Sequence, residues 1–338
     1  QDAGIIAENK DVNKFAACLD RITKHVQADL THLPALPDVL KLGGIVAGGN
    51  DAFAREPLLS FIACVIKSPL QVVDDTAEKL FAIARAGVPV VISSSPMGGT
   101  TAPIDEFGMV AQINAELLAG VALHQLAAAG APVLYGTVAV RCRLDNLNDM
   151  YGVAEFNRYN AATAQMARHY GLPCYSTAGI SDAAEPGIQA TFEKMLTLSQ
   201  IPHSGAQYVH CAFGLLGRSN VFCPEQAILD HAHLGEVKRS VEPAAFGEAE
   251  RDESVSTIRQ VIEAEDRSYV YHLPAPSREP VYARYPLERA EGGALRAAHD
   301  RRIEIASRPP AKLDESVRRD IEREFADLLP QALDGGSR

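Results

Sequence analysis

The sequence predicts an α/β chain folded as part of a TIM (β/α)8 barrel, with charged helices at its C-terminal end. Three observations predict it. Short apolar runs rich in Val and Ile alternate with helical patterns, as parallel strands covered on both faces do. Each run ends in small polar or Gly-rich residues, which is where the ligand loops of such folds lie. No GxGxxG follows the first strand, so a barrel fits better than a dinucleotide-binding sheet.

The stretch Val88–Gly130 sets the pattern. Val88, Val90, Val91 and Ile92 read as a buried strand, and Ser93–Ser95 lead into the loop PMGGTTAP, with Pro103 suited to the first turn of the next helix. Gly98-Gly99 allows close approach of a ligand, and also reads as a plain connecting turn. Upstream, Asp11–Val26 is an amphipathic helix presenting Val12, Phe15, Ala16, Leu19, Ile22 and Val26, with Asp11 as its N-cap. Leu42–Ala47 is a weak strand candidate ending in Gly48-Gly49, and Leu58–Ile66 a clear one. Asp75–Ala86 is a helix capped by Asp74 or Asp75 and stopped at Gly87. Strands follow at Pro132–Val140, Pro173–Gly179 and Gln207–Phe213, with a long polar loop at Arg141–Gly152. Helices are predicted at Glu155–Tyr170, over 187–200 and at Glu225–Val241. Six strand-led units are two short of a closed barrel. The chain also opens without Met and runs straight into a helix, so N-terminal barrel units are expected to be missing from it.

Beyond Val241 the character changes. Gly247–Asp266 is a charged helix with a thin apolar stripe (Val255, Ile258, Ile262), Pro274–Pro286 an irregular crossing, and Ala297–Ala306 and Asp314–Leu329 further charged helices. The expected division is a barrel portion over 1–243 with the C-terminal six units, and a helical extension over 244–338 packed on it.

With 43 acidic against 32 basic residues the net charge is −11, which argues against nucleic acid or an anionic membrane surface as partner. Neither a signal peptide nor an apolar run long enough to cross a bilayer is read, so a soluble, cytoplasmic protein is expected, with a homo-oligomer left open. The six cysteines show no CxxC. His210-Cys211, Cys223, His203, His231 and His233 match no structural zinc pattern, and no metal is expected.

Barrel chemistry sits at strand C-termini. Reading these off gives Ser93, Ser95, Thr137, Thr177 and Gly179, then Asp182, His210 and Phe213; Met97 and Gly98 of the Gly-rich loop and Tyr135 join the candidate ligand contacts. His210 and Asp182 are the candidate catalytic residues. His210 also reads as a hydrogen-bonded core histidine, and Asp182 as an Asx turn or N-cap before the helix at Gly187. Neither a nucleophile with its base nor a metal-ligand cluster is visible. Tyr135, Tyr151, Tyr175, Tyr208 and Phe213 are each readable as core, and as a set could wall a cation.

The segments PMGGTTAPI, INAELLAG, PVLYG, ARHYGLP, ISDAAEPGIQATFEK and ILDHAHLGEVKR, in this order between about Ala47 and Ala332, resemble the trimethylamine methyltransferase family. The resemblance implies a TIM barrel with a longer N-terminal part, acting on a methylated amine and passing the methyl group to a corrinoid protein. With only the standard twenty residues, the chain resembles the branch without pyrrolysine, whose characterised type is the glycine betaine:corrinoid methyltransferases. It departs from the family's usual wording at Gly98, in RCRLDNLNDMYGV and after SDAAEP. The resemblance implies no tightly bound cofactor, since the cobalamin rides on the partner protein. His210 is then the expected donor to a substrate carboxylate. Two other readings stay open: a barrel lyase or hydrolase with Asp182 and His210 as acid and base, and a non-catalytic barrel that binds betaine-like molecules.

Overall fold

A computed structural model describes residues 6–243, 247–265, 267–269, 293–309 and 312–328. Six parallel strands form one sheet: β1 (Val26–Ala28), β2 (Leu59–Ala63), β3 (Val90–Ser94), β4 (Val133–Thr137), β5 (Cys174–Thr177) and β6 (Tyr208–His210). They lie side by side in chain order, each paired in parallel with the next. Chain-order winding without a reversal separates a barrel from a doubly wound sheet, and the sheet curls as a half-barrel, a partial TIM barrel of α/β class.

The crossovers are helical: α1 (Ala7–Leu19) precedes β1, then come α2 (Leu36–Val46), α3 (Asn50–Arg55), α4 (Asp74–Arg85), α5 (Glu106–Ala127), α6 (Ala154–Tyr170), α7 (Ile188–His203) and α8 (Pro224–Val241). Period-2 alternation sends every other strand residue into the helix layer. Phe61 of β2 meets Phe15 of α1 edge-on at 5.6 Å. Ile92 of β3 lies so close over Gly120 of α5 that a Cβ there would come within 2.5 Å of it. Val209 of β6 shares a cluster with Leu198 and Ile201 of α7 and Val237 of α8. Burying each of the large apolar side chains contributes about 1.5–3 kcal/mol.

Several sequence expectations are corrected. The first helix runs Ala7–Leu19, not Asp11–Val26, and Asp11 lies inside it, not at its N-cap. Its buried carboxylate accepts the backbone N–H groups of Thr31 and His32 and a bond from Lys14 at 2.9 Å. Val26 belongs to β1, a three-residue strand too short for a sequence pattern. Leu42–Ala47 is helix, the end of α2: Pro37 sits in its first turn, and Leu36, Val39, Leu42 and Gly43 bury one helical face. A six-strand count therefore stands with a different first strand. Leu58–Ile66 divides into β2 and a ribbon strand at Ile66–Lys67 paired with Gln71–Val72. Neither Asp74 nor Asp75 caps α4, which starts after Val73 with both in its first turn. Pro103 precedes α5, whose N-cap is Asp105, accepting the Gly108 N–H at 2.7 Å. The polar loop 141–152 is a hairpin, Val140–Arg143 against Asn148–Met150, with its first strand paired in parallel to Met97–Gly98.

Contrary to the sequence reading, α5 is long and apolar enough to cross a membrane. In the fold it is a core helix, burying Met109, Ile113, Leu117 and Gly120 together with Glu116 and His124. In α9 (Glu248–Glu263) the buried residue is Val261, while Val255, Ile258 and Ile262 stay exposed. Helix α10 (Gly293–Ser307) packs on α8, where Glu225 takes Arg302 at 2.7 Å and His299 at 3.0 Å. Helix α11 (Glu315–Glu324) packs on α2, with Ile321 in the main core and Arg318 against Asp20 at 3.2 Å. The Pro274–Pro286 crossing lies outside the described residues.

Candidate active site

The helix layer takes one face of the sheet; the other, concave face carries a polar and aromatic set at the strand ends. Register places Tyr175 beside Tyr208 and Thr177 beside His210. The Tyr175 and Tyr208 rings lie 5.6 Å apart, and Tyr175 and the His210 imidazole 5.4 Å apart. The Tyr175 hydroxyl and His210 Nδ1 are hydrogen-bonded at 2.7 Å. Cys211 Sγ lies 3.0 Å from Nδ1 and 3.5 Å from Nε2, along that edge of the ring. Just beyond β2, the Cys64 thiol faces the Ser93 and Ser95 hydroxyls.

These groups are neutral at physiological pH. Burial lowers the His210 pKa below the usual histidine value. Burial raises the Tyr175 and Tyr208 phenols and pushes the Cys211 thiol up to about 12. Cys64 is raised by burial as well, with Ser93 and Ser95 opposing. Among the described residues, no three His, Cys, Asp or Glu side chains converge as a metal-binding group.

Of the residues read from sequence, Thr177, His210 and the exposed Ser95 lie at this face. Tyr135 does not: its side chain points into the helix layer, its hydroxyl donating to Asn114 of α5 at 2.7 Å and its ring against Tyr170 of α6. Thr137 is buried, its hydroxyl donating to the Ser94 carbonyl at 2.8 Å. Gly179 is buried, its N–H donating to Thr197 and its carbonyl accepting from Lys194. Met97 packs with the Val140, Tyr151, Phe156 and Ile180 cluster, and Gly98 is buried beside Tyr159 and Met109. Phe213 is exposed at the rim near His231. Alternation alone would put Tyr208, His210 and Ala212 on one face, but it breaks after His210. Cys211 adopts φ of +65°, and Ala212 turns into the cluster with Leu198 and Ile201. The expected aromatic wall thus reduces to Tyr175 and Tyr208 with His210, since Tyr151 pairs with Phe156.

Asp182 is not brought to His210; among the described residues no hydrogen bond joins them. Both Asp182 oxygens accept backbone N–H groups, from Tyr151 at 2.9 Å and Gly152 at 3.1 Å, which anchors the hairpin. Burial raises its pKa, with those two bonds opposing.

Sequence reading missed the groups that hold the mouth together. Lys194 and Asp230 form a fully buried ion pair at 2.9 Å. Lys194 also donates to the Gly179 carbonyl, and Asp230 accepts the Gly214 N–H at 2.7 Å. Glu193 accepts from the Ser181 hydroxyl at 2.6 Å and the Asp182 N–H at 2.8 Å. Glu116 accepts from Ser68, Ser94 and the Leu70 N–H. Their sequence signal was a charged residue on the buried stripe of an apolar helix, as Glu116 is among Ile113, Leu117 and Gly120.

The family model described as trimethylamine methyltransferase (MTTB) matches residues 3–267. The chain belongs to the trimethylamine methyltransferase family. It is 32% identical over 267 residues to the trimethylamine methyltransferase MttB of Desulfitobacterium hafniense (strain DSM 10664 / DCB-2), covering 77% of this chain and 53% of that one. It is 33% identical over 215 residues to the MttB of Methanosarcina thermophila (63% and 44% covered). It is 30% identical over 211 residues to the glycine betaine methyltransferase of Desulfitobacterium hafniense (strain Y51) (62% and 44% covered). The chain spans about half the length of the curated relatives it matches. The family match begins well before Ala47, where the motif resemblance was first read, and it ends before the extension's last two helices.

Proposed function

We propose that this member of the methyltransferase family moves a methyl group from a quaternary or methylated amine of the glycine betaine type to the cobalt of a separate corrinoid protein, in the cytoplasm. One observation carries the substrate reading: the concave face offers neutral aromatic and hydrogen-bonding groups, while the mouth's carboxylates are engaged with the loops. A quaternary ammonium leaves as a neutral amine, so the step needs no general acid, and none is paired with His210. The partner's corrinoid supplies the nucleophile, a reduced cobalt that takes the methyl group by in-line displacement.

The chain's own residues would bind and orient. The half-buried Tyr208 ring meets the cation, worth roughly 0.5–2 kcal/mol, and the fully buried Tyr175 backs Tyr208 and His210. The neutral His210 donates one hydrogen bond to the substrate carboxylate, which fixes which N–CH3 bond points out of the mouth. Apolar and aromatic walls exclude water. Occupation of both Asp182 oxygens by backbone amides speaks against an acid–base pair with His210. All six cysteines are free, as in reducing compartments.

The test is a methyl-transfer assay of the chain with reduced corrinoid protein against a panel of methylated amines with and without a carboxylate. Turnover of betaine-like substrates above trimethylamine is expected. Corrinoid-independent turnover with a bell-shaped pH profile would overturn the proposal.

A further inference from the structure

We propose that Tyr175 is a positioning residue that fixes the ring orientation and tautomer of His210, donating its hydroxyl hydrogen to Nδ1 so that Nε2–H is the group offered to a ligand. What this does for a betaine-type substrate rests on the carboxylate reading above; the tautomer does not.

Geometry carries the argument. The hydroxyl oxygen lies 2.7 Å from Nδ1, a full hydrogen bond. The phenol is fully buried, and the Thr177 hydroxyl beside it in the strand donates to the Thr137 carbonyl. Among the described residues the imidazole is the phenol's hydrogen-bonding partner, so a buried phenol, a strong donor and weak acceptor, directs its hydrogen there and Nδ1 is the acceptor. A neutral imidazole with an accepting Nδ1 carries its proton on Nε2. Burial keeps the phenol protonated and the imidazole neutral, so neither group leaves this arrangement near physiological pH.

The ring's position is itself built in. Strand β4 carries Gly136 directly beside Tyr175. A Cβ there would lie 2.0 Å from the Tyr175 carbonyl oxygen and 2.6 Å from its Cδ1. Only glycine lets the Tyr175 ring lean across β4, and the opposite side of the ring meets Tyr208 and His210. One strand earlier in the same sheet, Tyr135 is directed the other way, into the helix layer. An inward tyrosine is therefore a feature of β5 and β6, not one that β4 shares.

The test is nitrogen NMR of the 15N-histidine-labelled chain, with the His210 signals identified by their loss in His210→Gln. The wild type is expected to show a single neutral tautomer with unprotonated Nδ1. In Tyr175→Phe, which keeps the ring and removes the hydroxyl, the Nδ1–H form becomes populated and the two nitrogen shifts converge. Betaine affinity by calorimetry falls about 2- to 10-fold, the range for losing one neutral hydrogen bond. A protonated Nδ1 in the wild type overturns the proposal, whether or not the variant folds. So does an unchanged pure Nε2–H signature in a folded Tyr175→Phe. If the tautomer behaves as expected but betaine leaves the His210 signals unmoved, the tautomer assignment stands and the carboxylate reading fails.

Discussion

Converting Lys194 to Met tests whether the buried pair with Asp230 holds the strand ends in place. The side chains of both residues are fully buried. Removing the ammonium leaves the Asp230 carboxylate in the protein interior with two neutral donors, Gly214 N–H and Gln226 Nε2. Breaking a buried pair this way costs about 3–5 kcal/mol, and Asp230→Leu costs a similar amount from the other side. In Lys194→Met/Asp230→Leu no charge remains, but the Gly179 carbonyl, the Gly214 N–H and the Gln226 amide lose their partners, at about 1–3 kcal/mol each. The double variant should therefore lose about 3–9 kcal/mol, with a midpoint about 2 kcal/mol below that of the sum of the singles, about 6–10. A coupling of about 2 kcal/mol is expected. The chain has no Trp, so urea unfolding is followed by far-UV circular dichroism. A Lys194→Met protein within about 1 kcal/mol of wild type, or strictly additive single effects, would refute the reasoning.

Two further outcomes follow from the same geometry. His210→Ala should weaken betaine binding about 5- to 150-fold with the fold intact, and His210→Gln should recover part of it. Calorimetric titration beside a thermal melt checks this, and unchanged affinity in a folded His210→Ala protein removes His210 from the site. Asp11 provides a pH signature: burial raises its pKa, but bonds from His32, Lys14 and Thr31 outweigh that and hold it below the usual carboxylate value. Its folded pKa is lower than its unfolded one, so its stabilisation is present above about pH 4 and is lost as pH falls through the folded pKa. Asp11→Asn should flatten the fall of the urea midpoint with acid; an identical slope in both proteins would count against it.

The strands at Val90–Ser94, Cys174–Thr177 and Tyr208–His210 were legible because each is a short apolar or aromatic run bounded by loops. The first unit was not. Strand β1 has three residues, and the apolar run of α2 is as short as a strand, so its helical period is visible only with Pro37 and Leu36 included. Position along a strand was legible for His210 and Thr177, since alternation holds through β5 and β6. It misled for Tyr135, because period 2 tells which residues share a face but not which face is concave. For Asp182 only nearness to a strand end was legible, whereas its partners, Tyr151 and Gly152, come from a hairpin about thirty residues away whose polar residues carry no pattern.

Four carboxylates in the segments that resemble the family have one structural task in common. Glu116 of INAELLAG pins the turns after β2 and β3. Asp182 and Glu193 of ISDAAEPGIQATFEK pin the hairpin after β4 and the loop after β5. Asp230 of ILDHAHLGEVKR pins the loop after β6 and, through Lys194, Gly179. Each carboxylate accepts several loop donors that burial would otherwise leave unpaired at about 1–3 kcal/mol each. The same arrangement keeps these anionic groups engaged away from the concave face. For the proposed reaction this has a kinetic meaning. The substrate nitrogen is positive before methyl transfer and neutral after it, so its charge falls on the way to the transition state. A free carboxylate beside it would stabilise the bound amine more than the transition state and raise the barrier. Aromatic faces attract the cation more weakly and lose less as its charge disappears. A mouth whose acids are occupied by its own loops, with Tyr208 and a neutral His210 backed by the buried Tyr175, suits a reaction in which positive charge must be given up.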